Sequence, residues 1–174
     1  MKNWKEYADL AAQTTIYPKE YGVVYTTLGL TDETVEFVQS LGTQNEAKEL
    51  GDCFWYFANL IRELGLDITD IDDTAYELED QAKFRNTQEA THQMLETCGK
   101  ISGLIKKHLR DEKIGQISDD KLTQLDFEFS WYLNAVYYVM SFRNLDWREV
   151  AQTNVDKLFS RKDRGKLNGS GDSR

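Results

Sequence analysis

Proline is almost absent from this chain. Pro18 stands alone among 174 residues, so nothing interrupts long helices. Cysteine is nearly as scarce: Cys53 and Cys98 cannot build a disulfide framework, which sets a reduced, cytoplasmic location as the expectation. No apolar run reaches the ~18 residues a membrane span requires. The opening MKNWKEYADLAA has no apolar core followed by a cleavage site, so neither a membrane anchor nor a secretory signal is expected. Positive charge is short as well, with 21 Lys and Arg against 30 Asp and Glu, a net charge of −9 and a pI near 4.8. Such a surface repels a phosphate backbone, which argues against general nucleic-acid binding. What the chain does have is 40 % apolar and 12 % aromatic residues, too many for disorder. Its length suits one domain, or two small halves sharing a core.

The charge is unevenly placed. Residues 157–174 carry six basic residues (Lys157, Arg161, Lys162, Arg164, Lys166, Arg174) against Asp163 and Asp172, which leaves −13 on the remaining 156. An acidic body with a basic end suits a site that takes cations in one place and phosphates in another; a solvated tail has the same composition. Apolar residues recur at helical spacing, as in Phe54, Phe57, Ala58 and Ile61, or Trp131, Ala135 and Tyr138. The pattern predicts helices near 2–13, 28–41, 44–64, 68–86, 88–110, 119–143 and 147–161. Thr31-Asp32 and Ser118 are candidate starts, and Gly42-Thr43 and Gly65 candidate stops. The run Val23-Val24-Tyr25 is the one short strand-like stretch, and 162–174 reads as a basic, glycine-containing tail. The expected class is all-α, a single domain over residues 1–161.

Weak internal echoes divide that domain at about 14–86 and 87–161. Glu33-Thr34 returns as Glu96-Thr97, Trp55-Tyr56-Phe57 as Trp131-Tyr132-Leu133, and Leu66-Asp67-Ile68 as Leu145-Asp146-Trp147. Two degenerate tandem repeats, each a helix hairpin plus one further helix, would pack as a pseudo-dimer within one chain.

The carboxylates carry the chemistry. Glu33-x-x-Glu36 is followed, twelve residues on, by Glu49-x-x-Asp52. Residues three apart share a helix face, and both pairs lie among apolar neighbours (Val35, Phe37 and Val38; Leu50, Cys53 and Phe54). Carboxylates gathered on a core-facing stripe repel one another and are costly to desolvate. A divalent cation relieves both penalties, and all-oxygen ligands suit Mg²⁺ or Mn²⁺. A short turn over Ser40 to Gln44 would bring the pairs face to face. The plain alternative is a solvated acidic face. Gly51, inside the second helix, costs about 1 kcal/mol against alanine and implies close approach by a backbone or ligand.

This spacing, with its flanking words LGLTDETVEF and AKELGDCFWYFANL, resembles the MazG-like nucleotide pyrophosphohydrolases, part of the all-α NTP pyrophosphatase group that includes dimeric dUTPases. TTIYP (Thr14–Pro18) is similar to an N-terminal segment of one branch. Asn154 to Gly165, followed by Gly169-Ser170-Gly171-Asp172, is similar to that branch's C-terminal signature. The resemblance implies Mg²⁺-dependent cleavage of a (d)NTP between its α and β phosphates, giving the monophosphate and pyrophosphate. It implies Glu33, Glu36, Glu49 and Asp52 as metal ligands. Glu33, Glu36 or Glu49 would also accept a proton from the attacking water. Asn154, Lys157, Arg161, Arg164, Ser170 and Asp172 would face the nucleotide. The second half departs from the pattern: Gly99 and Leu125 fall where Glu36 and Glu49 would repeat, and only Glu96 and Glu128 remain. The first half has Ala75 and Leu78 in place of Asn154 and Lys157. One composite site per chain follows, with further homo-oligomerisation left open.

Competing readings are a non-catalytic regulatory or scaffold module with incidental carboxylates, and a di-iron bundle. The latter needs two Glu-x-x-His pairs. Only Glu89-x-x-His92 fits, because His108 follows Ile105 at that spacing. Trp55, Tyr56 and Tyr17 are candidates to stack on a base, although aromatics at helical spacing are more often core.

Overall fold

Seven stretches of helical periodicity become seven α-helices in the computed structural model, which describes residues 1–78, 81–113 and 116–168. They are α1 (Trp4–Ala11), α2 (Gly22–Ser40), α3 (Glu46–Glu63), α4 (Ile68–Glu77), α5 (Thr87–Asp111), α6 (Asp119–Arg143) and α7 (Trp147–Asp163). No strand occurs among the described residues, and none of their helices is long and apolar enough to cross a membrane. Side-chain caps open four helices: Asn3, Asp67, Asn86 and Asp146 each accept a hydrogen bond from a backbone N–H of the first turn.

Two sequence expectations are corrected. Val23-Val24-Tyr25 is helical, and α2 starts at Gly22, so Thr31-Asp32 lies inside the helix rather than at its start. The threonines make this possible. Thr26, Thr27, Thr31 and Thr34 each donate their hydroxyl to the carbonyl four residues back, at 2.6–3.0 Å, so their polar groups are satisfied within the helix. The helix expected over 68–86 ends at Glu77. Leu78 and Ala82 keep the apolar spacing of a helix, but the Tyr138 hydroxyl takes the Ala82 carbonyl, and Phe84 packs edge-on to the Tyr138 ring at 5.1 Å.

Packing orders the helices into two hairpins, α2–α3 and α5–α6, joined by α2 against α5. The third helices cross over: α7 packs on α3, and α4 packs on α6. Both hairpins leave their second helix by the same device. Gly65 (φ 72°) and Asn144 (φ 54°) adopt left-handed backbone, and the next residue, Leu66 or Leu145, donates back to Ile61 or Met140. Asp67 and Asp146 then cap the following helix.

One apolar core runs through all seven helices, from Trp4 and Tyr7 of α1 to Val150 and Val155 of α7. At its centre Phe57 stacks on Tyr132 at 5.4 Å and meets Phe129 edge-on. The Tyr132 hydroxyl reaches Thr34 at 2.8 Å, tying α6 to α2. Glu46 receives Arg143 at 2.9 Å and the Gly42 N–H at 2.9 Å, fixing the α2–α3 turn against the end of α6.

Glycines in the two hairpins face opposite constraints. A Cβ on Gly29 would fall 2.0 Å from the Tyr56 ring, whereas one on Gly99 would meet nothing within 4 Å. Gly29→Ala is expected to destabilise the chain by about 1–3 kcal/mol through overpacking. Gly99→Ala is expected to stabilise it by about 0.5–1 kcal/mol. Urea unfolding followed by circular dichroism compares the two.

Candidate metal centre

The α2–α3 hairpin turns the carboxylate pairs toward each other. Glu33 and Glu36 on α2 and Glu49 on α3 bring one ligand oxygen each within 4.8 Å of the others. Among the described residues no other group of three or more such side chains gathers in this way. The di-iron alternative finds no support: Glu89 is held by Arg85 at 2.8 Å, and His108 by Glu112 at 2.7 Å.

Electrostatics show what this gathering costs. Burial, then the charges of Asp52, Glu36 and Glu49, push the Glu33 carboxyl up to about 8, against a smaller opposing pull from Lys157. Glu36 moves upward too, by partial burial first and then by Asp32 and Glu49. Lys48 answers part of the charge, its ammonium lying 2.9 Å from Glu49. Three carboxylates gathered from two helices are an all-oxygen donor set that fits a hard divalent cation, which would favour the ionised form of Glu33.

Asp52 stands beside this triad and belongs to a second network. It accepts hydrogen bonds from the Lys157 ammonium and, at 2.9 Å, from the Asn154 amide on α7. The other end of that amide accepts the Tyr7 hydroxyl at 2.8 Å. Tyr7 is fully buried on α1; sequence inspection missed it, and its only signal is the Trp4, Tyr7, Ala11 stripe of a short amphipathic helix. Gly51 owes its identity to the same network, because a Cβ there would sit 3.0 Å from that of Asn154. The close approach expected at Gly51 is made by a side chain of α7.

A cavity of about 360 Å³ opens next to the carboxylates. Glu33 and Asp52 line one side, Tyr25 and Tyr56 another, and Arg161, only 7 % exposed, a third. Trp55 lines the cavity as well, largely buried, and donates its indole N–H to Thr14 at 2.8 Å. Tyr17 donates its hydroxyl to Glu63. Arg164 caps α7, is exposed, and donates to the Ser160 carbonyl. The expected tail begins later than residue 162, since α7 continues to Asp163. Gly165, with φ of 65°, then turns the chain back, and Leu167 and Asn168 line the cavity. Ser170 and Asp172, with the rest of 169–174, lie outside the described residues.

The fold and site define a class: an all-α bundle with a three-carboxylate centre on one hairpin and a basic helix packed against it. The Gene 37 protein of Mycobacterium phage L5 is 42 % identical over 80 residues, which cover 44 % of this chain and 67 % of that protein. The chain belongs to the same family as that phage protein. No family model matches it, and no solved structure does.

Two outcomes test this geometry. The folded chain holds the Glu33 proton up to pH about 8, while the unfolded chain releases it near 4.5. The contribution to stability is therefore full below pH 4.5 and is lost as pH rises through 8. In EDTA, urea-derived stability should fall between pH 5 and 8.5 more steeply in the wild type than in Glu33→Gln. Tyr7→Phe leaves the Asn154 oxygen short of a donor and should cost about 1–3 kcal/mol in the same assay.

Proposed function

We propose that the chain is a Mg²⁺-dependent nucleoside triphosphate pyrophosphohydrolase, with Mn²⁺ as a substitute. The observation that carries this reading is the shared cavity: two site carboxylates, an aromatic wall and a buried arginine line one space. The spacing that resembles the MazG-like enzymes supports it from a second direction. Glu33, Glu36 and Glu49, with Asp52 adjacent, would hold the metal, which when bound neutralises phosphate charge and acidifies a water.

The chain's own groups then have distinct work. Arg161 offers the triphosphate a guanidinium already desolvated by burial. Lys157, four residues earlier on the same helix, sits on Asp52 and is placed to share its charge with the phosphates. Asn154, braced by Tyr7, keeps Asp52 oriented. A carboxylate of the triad takes the proton from water as that water attacks the α-phosphorus, and the bond to the α–β bridging oxygen breaks. Tyr25 and Tyr56 present ring surface to the base. Arg164 at the helix end, and Ser170 and Asp172 beyond the described residues, complete the nucleotide-facing set that the family resemblance implies.

A non-catalytic regulatory module is the alternative, and Lys157 and Lys48 favour it in one respect, since they already neutralise part of the acidic charge. A panel of canonical and modified NTPs and dNTPs with Mg²⁺, scored for pyrophosphate against orthophosphate, separates the two. Pyrophosphate is the expected product. Glu49→Gln should lower turnover by about 10²-fold or more with the helical circular dichroism retained. Stabilisation by Mg²⁺ with no nucleotide cleaved would point to the regulatory module.

A further inference from the structure

Two stripes on the outside of the bundle share one spacing. From Tyr21, at the cap of α2, the residues Tyr25, Leu28, Asp32 and Val35 follow at steps of four, three, four and three. On α5 the residues Leu95, Gly99, Ser102, Lys106 and Leu109 follow at the same steps. That alternation keeps a straight seam on a helix, here about 21 Å long on each. Ten large apolar side chains are exposed among the described residues, and six of them fall on these two stripes: Tyr21, Tyr25, Leu28, Val35, Leu95 and Leu109. Leu28 is 66 % exposed, the most of the ten. Apolar surface gathered in this way marks a contact face.

The stripes lie side by side. Thr31 of α2 meets Ser102 at 3.1 Å and Thr34 meets Cys98 at 3.4 Å, so α5 runs antiparallel to α2. This register sets Tyr25 level with Leu109, Asp32 with Ser102, and Val35 with Gly99. The space at Gly99 is open, because a Cβ there would meet nothing within 4 Å. Each stripe carries one charge, Asp32 on α2 and Lys106 on α5, both exposed. Among the described residues neither enters a salt bridge within the chain.

These observations select the occupant. A lone helix from another protein would cover one stripe and leave its neighbour in water. An anionic lipid surface would be repelled by a chain of net charge −9. A second copy covers both stripes at once. Turned about a two-fold axis parallel to the helices, it lays its α5 along α2 and its α2 along α5, with the levels unchanged. Val35 then faces the open Gly99 of the copy, and Tyr25 faces its Leu109. Asp32 faces the level of Ser102, one turn or about 6 Å from Lys106, which a lysine side chain spans. Each of these contacts is made twice. A two-fold across the helices would instead lay α2 on α2 and match acid with acid. We propose that the chain forms a two-fold dimer through its α2–α5 face, held by the apolar stripes and set in register by Asp32–Lys106 pairs between copies. Tyr25 also lines the carboxylate cavity, so Leu109 of the copy stands at the edge of that cavity.

The proposal does not rest on nucleotide cleavage, and its readout is mass. Sedimentation equilibrium of the full chain in EDTA should give twice the 20.2 kDa of one chain at micromolar concentration. Leu28→Lys, at an exposed position, sets a second cation level with Lys106 of the copy. It should weaken association about tenfold or more with the helical circular dichroism retained. Asp32→Lys and Lys106→Asp should each weaken it about threefold or more, and the two joined in one chain should restore it. A wild type that stays monomeric at about 100 µM would overturn the proposal and leave the face to a different protein. So would a dimer indifferent to Leu28→Lys, or charge reversals that the double variant does not rescue.

Discussion

Like charges held at close quarters are the constraint on which the rest of this molecule turns. Glu33, Glu36 and Glu49 are pressed together by the α2–α3 hairpin, and that hairpin is fixed by apolar packing that the carboxylates themselves oppose. The chain relieves part of the strain internally. One carboxyl keeps its proton to about pH 8, and Lys48 approaches another. What remains is a standing affinity for positive charge at one place on the surface. In this way the core energy of Leu30, Phe37, Leu50 and Phe54 holds three carboxylates together.

The α5–α6 hairpin meets its own carboxylates with a lysine. There Lys100 stands 2.9 Å from Glu96 and 3.8 Å from Glu128. A tethered ammonium does on that side what a free ion would do on the first. The third helices differ too: α7 sets Asn154 and Lys157 on Asp52 of α3, whereas α4 meets α6 through the Ala75 carbonyl, which accepts from Asn134.

Much of this was legible in the sequence because it is local. Helical periodicity located seven helices, and the spacing of the acidic pairs foretold the gathering of Glu33, Glu36 and Glu49, though not the departure of Asp52 to α7. Gly51 announced a close approach. What was hidden depends on partners distant in the chain. The early start of α2 rests on threonine hydroxyls folding back on the helix, which residue type alone does not reveal. Beyond the end of α4 the Ala82 carbonyl is taken by Tyr138, more than fifty residues away. That Lys157 would settle on Asp52, that Tyr7 would brace Asn154, and that Leu167 and Asn168 would return to the cavity are facts of tertiary packing, with no local pattern to betray them.

The crossing of α7 onto α3 has a consequence for how the chain is made. Lys157 follows Asp52 by 105 residues. At ribosomal rates of about 5–20 residues per second, the acidic hairpin waits roughly 5–20 s for its basic counterpart. During that interval a cluster of carboxylates stands without the ammonium that later balances Asp52, and its self-repulsion works against premature collapse onto the wrong neighbour. The last helix therefore acts as a latch in time as well as in space, and Asp52 acquires Asn154 and Lys157 only after α7 has been synthesised.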